Sequence, residues 1–260
     1  MRIALVDSGI GLLPAAAALR RRHPGAALVL SSDPASMPWG PRTASDIADR
    51  ALDCARAAMA LAPHALVVAC NTATVHALPA LRAAFEPAVP VIGTVPAIKP
   101  AAADGGPFAV WATPATTGSP YQRRLIADFA AGAEVTEVPC HGLADAVERA
   151  DEAAIDAAVQ AAAALTPADV RAVVLGCTHY ELVAERILAA LRRPGAPAPR
   201  LHGSAEAVAA QALRRLDAPE SAPAPGGEDL VVLHTGRRVA LPAAALHYAE
   251  GRGLAAPSPA

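Results

Sequence analysis

From residue 2 onward the chain alternates short, wholly apolar runs with longer stretches whose apolar positions recur every three to four residues. Runs of four to eight apolar residues bounded by turn residues predict buried strands, and the 3.6-residue period predicts helices. On this basis strands fall at residues 2–7 (RIALVD), 26–32 (AALVLSS), 65–70 (ALVVAC) and 89–95 (VPVIGTV). Helices lie between them over LLPAAAALRRR, residues 45–62, and TVHALPALRAAF. The order then begins again. Strands are expected at 108–113, 133–139, 171–177 and 198–204, with helices near YQRRLIADFAA, over residues 151–166, and over ELVAERILAALRR. Strands with no polar alternation, separated by helices, indicate parallel sheets covered on both faces.

The second set of elements follows the first at a nearly constant offset of 107 residues: Leu28 falls on Val135 and Cys70 on Cys177, while Gly93 precedes Gly203 by 110. Such self-similarity marks an internal duplication. The expected fold class is α/β, as two pseudo-symmetric doubly wound domains with mostly parallel sheets and a site in the cleft between them. Residues 1–98 form the first half, completed by 206–260, and residues 99–205 the second. Past residue 205 the pattern gives a helix (AEAVAAQALRRL), a Pro- and Gly-rich surface loop (DAPESAPAPGGED), one more strand (DLVVLHT) and a frayed end over the last six residues.

Composition narrows the classes. A chain of 260 residues with 53% hydrophobic content fills a globular core of this size. With 22 basic and 24 acidic residues, and no basic run longer than Arg20-Arg21-Arg22, nothing marks a nucleic-acid surface. Residues 57–81 carry no charged side chain and are long enough to span a bilayer, but Pro63, His64, Asn71, His76 and Pro79 and the changing period argue against a membrane span. Asp7 interrupts the first apolar run before it can serve as a signal-peptide core, so the protein is expected in the cytoplasm. Neither half has a glycine-rich nucleotide loop, and the four cysteines have no metal-ligand spacing. Cys54, in mid-helix, and Cys140 read as small buried residues.

Cys70 in VVACNTA and Cys177 in VLGCTHY differ from these, because each ends an apolar strand. In parallel α/β sheets ligands gather at the carboxyl ends of strands, where loop backbone and helix N-termini offer N–H groups. Two thiols brought to one cleft could remove a proton from one face of a carbon and deliver one to the other, as inversion of a stereocentre requires. Lowering a thiol pKa of about 8.5 to neutrality takes roughly 2 kcal/mol, more than the 0.3 to 1 kcal/mol of a helix dipole, so each thiol needs a helper. His179 stands beside Cys177. Asn71 with Thr72, and Thr178, offer neutral donors and acceptors for a carboxylate or an ammonium. Asn and Thr after a strand are also ordinary helix caps, but the matched pair of motifs favours a site.

Together VDSGIG, PWG, VVACNTA, VPVIG and LGCTHY, in this order over most of residues 3–210, resemble the glutamate racemases of the aspartate/glutamate racemase superfamily. The resemblance implies a cofactor-independent two-base racemase that supplies D-glutamate for bacterial peptidoglycan, uses neither cofactor nor metal, and forms a homodimer in many lineages. It implies catalytic thiols at Cys70 and Cys177, the former acting on D-glutamate and the latter on L-glutamate. Asp7 would assist Cys70, and His179 with Glu148 would assist Cys177. Substrate contacts would come from Asp7, Ser8, Trp39, Gly40, Asn71, Thr72, Thr116, Thr178 and His179. The chain departs from the family pattern at Leu12, where a glycine is usual, at Trp39, where a tyrosine is usual, and at Glu181, where a proline is usual. Glu181 reads as a first-turn helix residue favoured by the dipole. A pyridoxal mechanism would require a Schiff-base lysine, and Lys99 is the only lysine. Racemisation of aspartate, another small acid or a hydantoin on the same scaffold stays open, as does a non-catalytic protein whose thiols bind metal or form a redox pair.

Overall fold

A computed structural model of the chain describes residues 1–195, 197–217 and 229–256. It divides into two compact units, Met1–Thr94 together with the chain from Ala205 on, and Val95–Ser204.

In the first unit the elements run β1 (Arg2–Asp7), α1 (Leu13–Arg22), β2 (Ala27–Ser32), α2 (Ala44–Met59), β3 (Ala65–Val68), α3 (Asn71–Phe85) and β4 (Val91–Gly93). The second unit has α4 (Ile98–Ala103), β5 (Phe108–Ala112), α5 (Pro120–Phe129), β6 (Val135–Pro139), α6 (Leu143–Glu148), α7 (Glu152–Leu165), β7 (Ala172–Leu175), α8 (Ala184–Leu191) and β8 (Arg200–His202). The chain then returns to the first unit as α9 (Ala205–Arg215), β9 (Leu230–His234), β10 (Arg237–Val239), α10 (Ala243–His247) and α11 (Ala249–Ala255).

The second sheet has the strand order β6-β5-β7-β8, and the first contains the same order as β2-β1-β3-β4, extended by β9 and β10 beside β2. All pairings are parallel except β9 with β10. The register repeats as well. Ile3 pairs with Leu28 and Ala65, and Phe108 pairs with Val135 and Ala172, both partners displaced by 107 positions. Leu66 pairs with Val91 and Val173 with Leu201. Register is set by which side chains each face buries, so the duplicated sequence has kept its packing pattern residue by residue.

The central strands are buried on both faces. In β1 and β3, Ala4, Val6, Leu66 and Val68 pack with Val29, Ile47, Cys54 and Trp39 in one cluster. Ile3, Leu5 and Val67, pointing the other way by the two-residue period of a strand, are equally buried. In the second unit Phe108, Val110, Ala172 and Val174 pack with Ile98, Ala101 and Leu125.

Several elements differ from the sequence expectation. The strands end one or two residues early, so that Ala69 and Cys70, like Gly176 and Cys177, leave the sheet. Helix α3 starts at Asn71 rather than residue 74 and keeps Pro79, whose ring lies on its exposed side. The helix expected from residue 181 is instead a 3-10 segment, Thr178–Val183, followed by α8. Elements α4, α6, β10, α10 and α11 carry too few periodic positions to be read from sequence. Of the Pro- and Gly-rich loop, residues 218–228 lie outside the described residues, as do 257–260 of the last six, while Ala255 still closes α11. Arg21 and Arg22, at the end of α1, pair with Glu206. No helix among the described residues is long and apolar enough to cross a membrane.

Candidate active site

In the first unit the site residues collect where the strands end. Asp7 is the last residue of β1 and is fully buried; its Oδ1 accepts from the Ser8 backbone N–H (2.5 Å) and from Ser8 Oγ (3.2 Å). The neighbouring strand β3 stops at Val68, and the Ala69 N–H donates to the Val6 carbonyl (2.9 Å), which carries the Cys70 turn alongside Asp7. Cys70 holds an extended conformation at the N-cap of the fifteen-residue α3, and its carbonyl accepts from Thr74 N–H (2.9 Å). This position sets Cys70 before the first helical turn, at the positive end of the α3 dipole. Asn71, buried, and Thr72, half-buried, follow in that turn.

Thr74, one turn further on, fixes the turn from within. Its Oγ1 accepts from Thr94 N–H (3.0 Å) and reaches the Val68 carbonyl (3.4 Å), and a Cβ on Gly93 would lie 2.8 Å from its methyl group. The loop after β2 carries Trp39 and Gly40. It is held by Asp33, which accepts from Ser36 Oγ and from Thr235 Oγ1 (3.2 Å) and pairs with Arg50 (3.4 Å). Arg42 closes the loop, its side chain donating to the Ser36 carbonyl (2.8 Å) and its backbone N–H to the Trp39 carbonyl (3.0 Å). The Trp39 side chain belongs to the same buried cluster as Cys70 and Ala73, and its indole Nε1 finds no acceptor among the described residues.

In the second unit Cys177 follows β7 as Cys70 follows β3, and the Gly176 N–H donates to the Trp111 carbonyl (2.7 Å) as Ala69 does to Val6. Cys177 is half-buried, Thr178 and His179 buried. His179 Nε2 lies 3.0 Å from Glu148 Oε2, at the end of α6. A carboxylate only accepts, so Nε2 carries the proton and Nδ1, 3.9 Å from Cys177 Sγ, faces the thiol as an acceptor. The line Glu148, His179, Cys177 therefore forms within one unit and can exchange the thiol proton with the imidazole. Thr116 lies in the loop after β5 and bonds to Thr113 (3.1 Å).

None of the four cysteines is in a disulfide. Cys54 and Cys140 are buried, and desolvation above all pushes both thiols up to about 12. Among the described residues no group of three or more His, Cys, Asp or Glu side chains is placed to hold a metal ion. Sequence reasoning missed Asp33, Thr74 and Tyr180. Asp33 bonds to the side chains of Arg50 and Thr235, Thr74 to the backbone of Thr94 and Tyr180 to the carbonyl of Cys140, partners 17 to 202 residues away that no local pattern encodes.

The fold is thus a duplicated, doubly wound α/β protein with a thiol at the carboxyl end of the third strand of each repeat. Residues 14–214 match the Asp/Glu/Hydantoin racemase family, and the chain belongs to it. It is 38% identical to a glutamate racemase of Roseiflexus sp. (strain RS-1) over 195 residues, 72% of this chain and 70% of that one. It is 36% identical to one of Granulibacter bethesdensis over 220 residues, 82% of this chain and 77% of that one. Among solved structures it resembles the Escherichia coli glutamate racemase in complex with L-glutamate and the activator UDP-MurNAc-Ala, with a TM-score of 0.74 at 26% identity over 95% of this chain and 91% of that one. It also resembles a Bacillus anthracis glutamate racemase isoform, with a TM-score of 0.67 at 30% identity over 83% and 81%.

Proposed function

We infer that this protein is a glutamate racemase in which Cys70 and Cys177 form the acid/base pair. The observation that carries the reading is the repeat itself. The same register sets a thiol beyond the end of β3 and of β7, while the other two thiols are buried and held protonated. The curated relatives bear the same activity in their names.

In the mechanism one cysteine, as thiolate, takes the α-proton of glutamate; the other, as thiol, gives a proton to the opposite face of the planar carbanion. One proton is lost and one gained, so the reaction needs no redox partner. The thiolate forms are supported differently in the two units. Cys70 has the N-terminus of α3 to favour its thiolate, and the carboxylate of Asp7 on the adjoining strand end serves as a base that can receive or return the proton. Cys177 has the His179 imidazole, which Glu148 orients. Ser8, Asn71, Thr72, Thr116, Thr178 and the backbone at Trp39-Gly40 supply neutral donors and acceptors for the two carboxylates and the ammonium group. The indole N–H of Trp39 can only donate, which suits a carboxylate.

Lys99 supports a mechanism without a Schiff base. It is exposed, and it lines a groove with Pro107 and Glu134, which precede β5 and β6, at the amino ends of the strands, whereas Cys177 follows the carboxyl end of β7. The reading extends to a cytoplasmic homodimer that supplies D-glutamate for peptidoglycan.

The decisive experiment follows optical rotation by circular dichroism with each enantiomer of glutamate and of aspartate and no added cofactor. Interconversion of glutamate is expected, with Cys70→Ser and Cys177→Ser each losing about 10²-fold or more, the scale of a removed acid/base group. Turnover of aspartate alone would move the substrate within the family. Loss of activity on Lys99→Ala with the fold intact would overturn the two-thiol mechanism.

A further inference from the structure

We propose that Glu181 is a positioning residue for the second thiol, anchoring the Cys177 turn to the end of β8; this rests on the two-thiol reading above. The turn after Cys70 is held by the backbone ladder of α3. The turn after Cys177 has no such support, because Thr178–Val183 is a six-residue 3-10 segment. Such runs have poorer hydrogen-bond geometry and are uncommon beyond three or four residues, so other bonds must fix this one.

Three consecutive side chains of the segment reach three different elements. His179 meets Glu148 at the end of α6, and the Tyr180 hydroxyl donates to the Cys140 carbonyl after β6 (3.4 Å). Glu181 Oε1 accepts from both the backbone N–H (2.7 Å) and the Oγ (2.9 Å) of Ser204, just past β8. Glu181 bonds with two donors, both on the buried Ser204, and charge-assisted bonds of this length are among the stronger ones.

Gly203 makes room for the bond. A Cβ at that position would overlap the Glu181 carboxylate, so glycine at 203 and glutamate at 181 form a matched pair. Glu181 does not act as a first-turn residue favoured by a helix dipole, as the sequence suggests, for no α-helix begins there. Without its anchor the turn is free to shift, and the Sγ to Nδ1 approach of 3.9 Å has little margin before the imidazole and thiol separate. Only the Cys177 half of the reaction depends on this anchor.

The test uses full-length protein and the two α-enantiomers of 3-chloroglutamate. Removal of the α-proton expels chloride from the β-carbon, and the resulting enamine tautomerises and is hydrolysed by water to 2-oxoglutarate and ammonia. Each enantiomer needs only one thiol, the L-form Cys177 and the D-form Cys70. Glu181→Ala is expected to slow elimination from the L-form about tenfold while changing the D-form less than about threefold. Glu181→Gln, which keeps an acceptor oxygen, should recover most of the loss, and Gly203→Ala, with Glu181 intact, should reproduce it.

A second readout needs no substrate. The pH midpoint for alkylation of Cys177 by iodoacetamide should rise in Glu181→Ala while that of Cys70 stays fixed. Equal losses for both enantiomers in a folded variant, or an unmoved Cys177 midpoint, would overturn the assignment. A wild-type protein that racemises nothing would instead overturn the proposed function, and the alkylation profile would still decide the role of Glu181.

Discussion

The thiols of Cys54 and Cys140 set the chemical background for the other two. Cys54 lies mid-way along α2 with its carbonyl bonded to Ser31 Oγ (2.8 Å), and Asp33 and Asp53 add to the burial that disfavours its thiolate. Cys140 is buried, and the charge of a Cys177 thiolate would add to the desolvation that disfavours its own. Both are pushed up to about 12 in the fold, above the ordinary thiol range, so the folded state holds protons that the unfolded chain releases. The sign follows: the stability these groups contribute is full below pH 9 and declines as pH rises toward 12. Thermal melts across that range should show an alkaline loss of stability, with a shallower slope in Cys54→Ala. In the folded protein at pH 8, iodoacetamide should leave Cys54 and Cys140 unmodified, and mass spectrometry of the peptides checks this.

At the scale of elements, the two thiol turns differ at one position in a way that the register explains. Ala69 and Gly176 make equivalent bonds, to the carbonyls of Val6 and Trp111. A Cβ on Gly176 would lie 2.8 Å from the Trp111 oxygen and 3.2 Å from the Ala112 Cβ, and backbone held in a sheet cannot move aside. Gly176→Ala is therefore expected to cost about 1–3 kcal/mol by overpacking, and to displace Cys177 enough to abolish racemisation. Ala69→Gly, with nothing to clash, should lose only about 0.5–1 kcal/mol of backbone entropy and keep its activity. Thermal denaturation with the dichroism assay separates the two outcomes.

On the scale of the whole molecule, the end of the chain reaches the loop that carries Trp39. Strand β9 adds to β2 in parallel, and the turn after it brings Thr235 N–H to the Ser32 carbonyl (2.8 Å) and Thr235 Oγ1 to Asp33. Thr235 adopts a positive φ of 47°, an uncommon conformation for a non-glycine residue that the surrounding bonds maintain. Thr235→Ala should loosen the Trp39 loop, raising KM for glutamate about threefold to tenfold with kcat nearly unchanged, as loss of uniform binding does. Ending the chain at residue 228 would leave β2 as an open edge and uncover α1, which packs on α11. Aggregation on expression is the expected result.

The apolar runs and their helical spacing determined the strands, most of the helices and the duplication, because burial on both faces of a parallel sheet leaves a continuous local signature. The same runs placed both thiols at strand ends, and that placement needs nothing beyond neighbours in sequence. Tertiary structure alone decided the partners. Glu148 and His179 stand 31 residues apart, Asp33 and Thr235 stand 202 apart, and Glu181 meets Ser204 only because β7 and β8 pair. Tertiary structure also made the second thiol turn a 3-10 segment. A helical period starting at Glu181 carries no record of the side-chain bonds to α6, β6 and β8 that compete with it, and those bonds exist only once the sheet has formed.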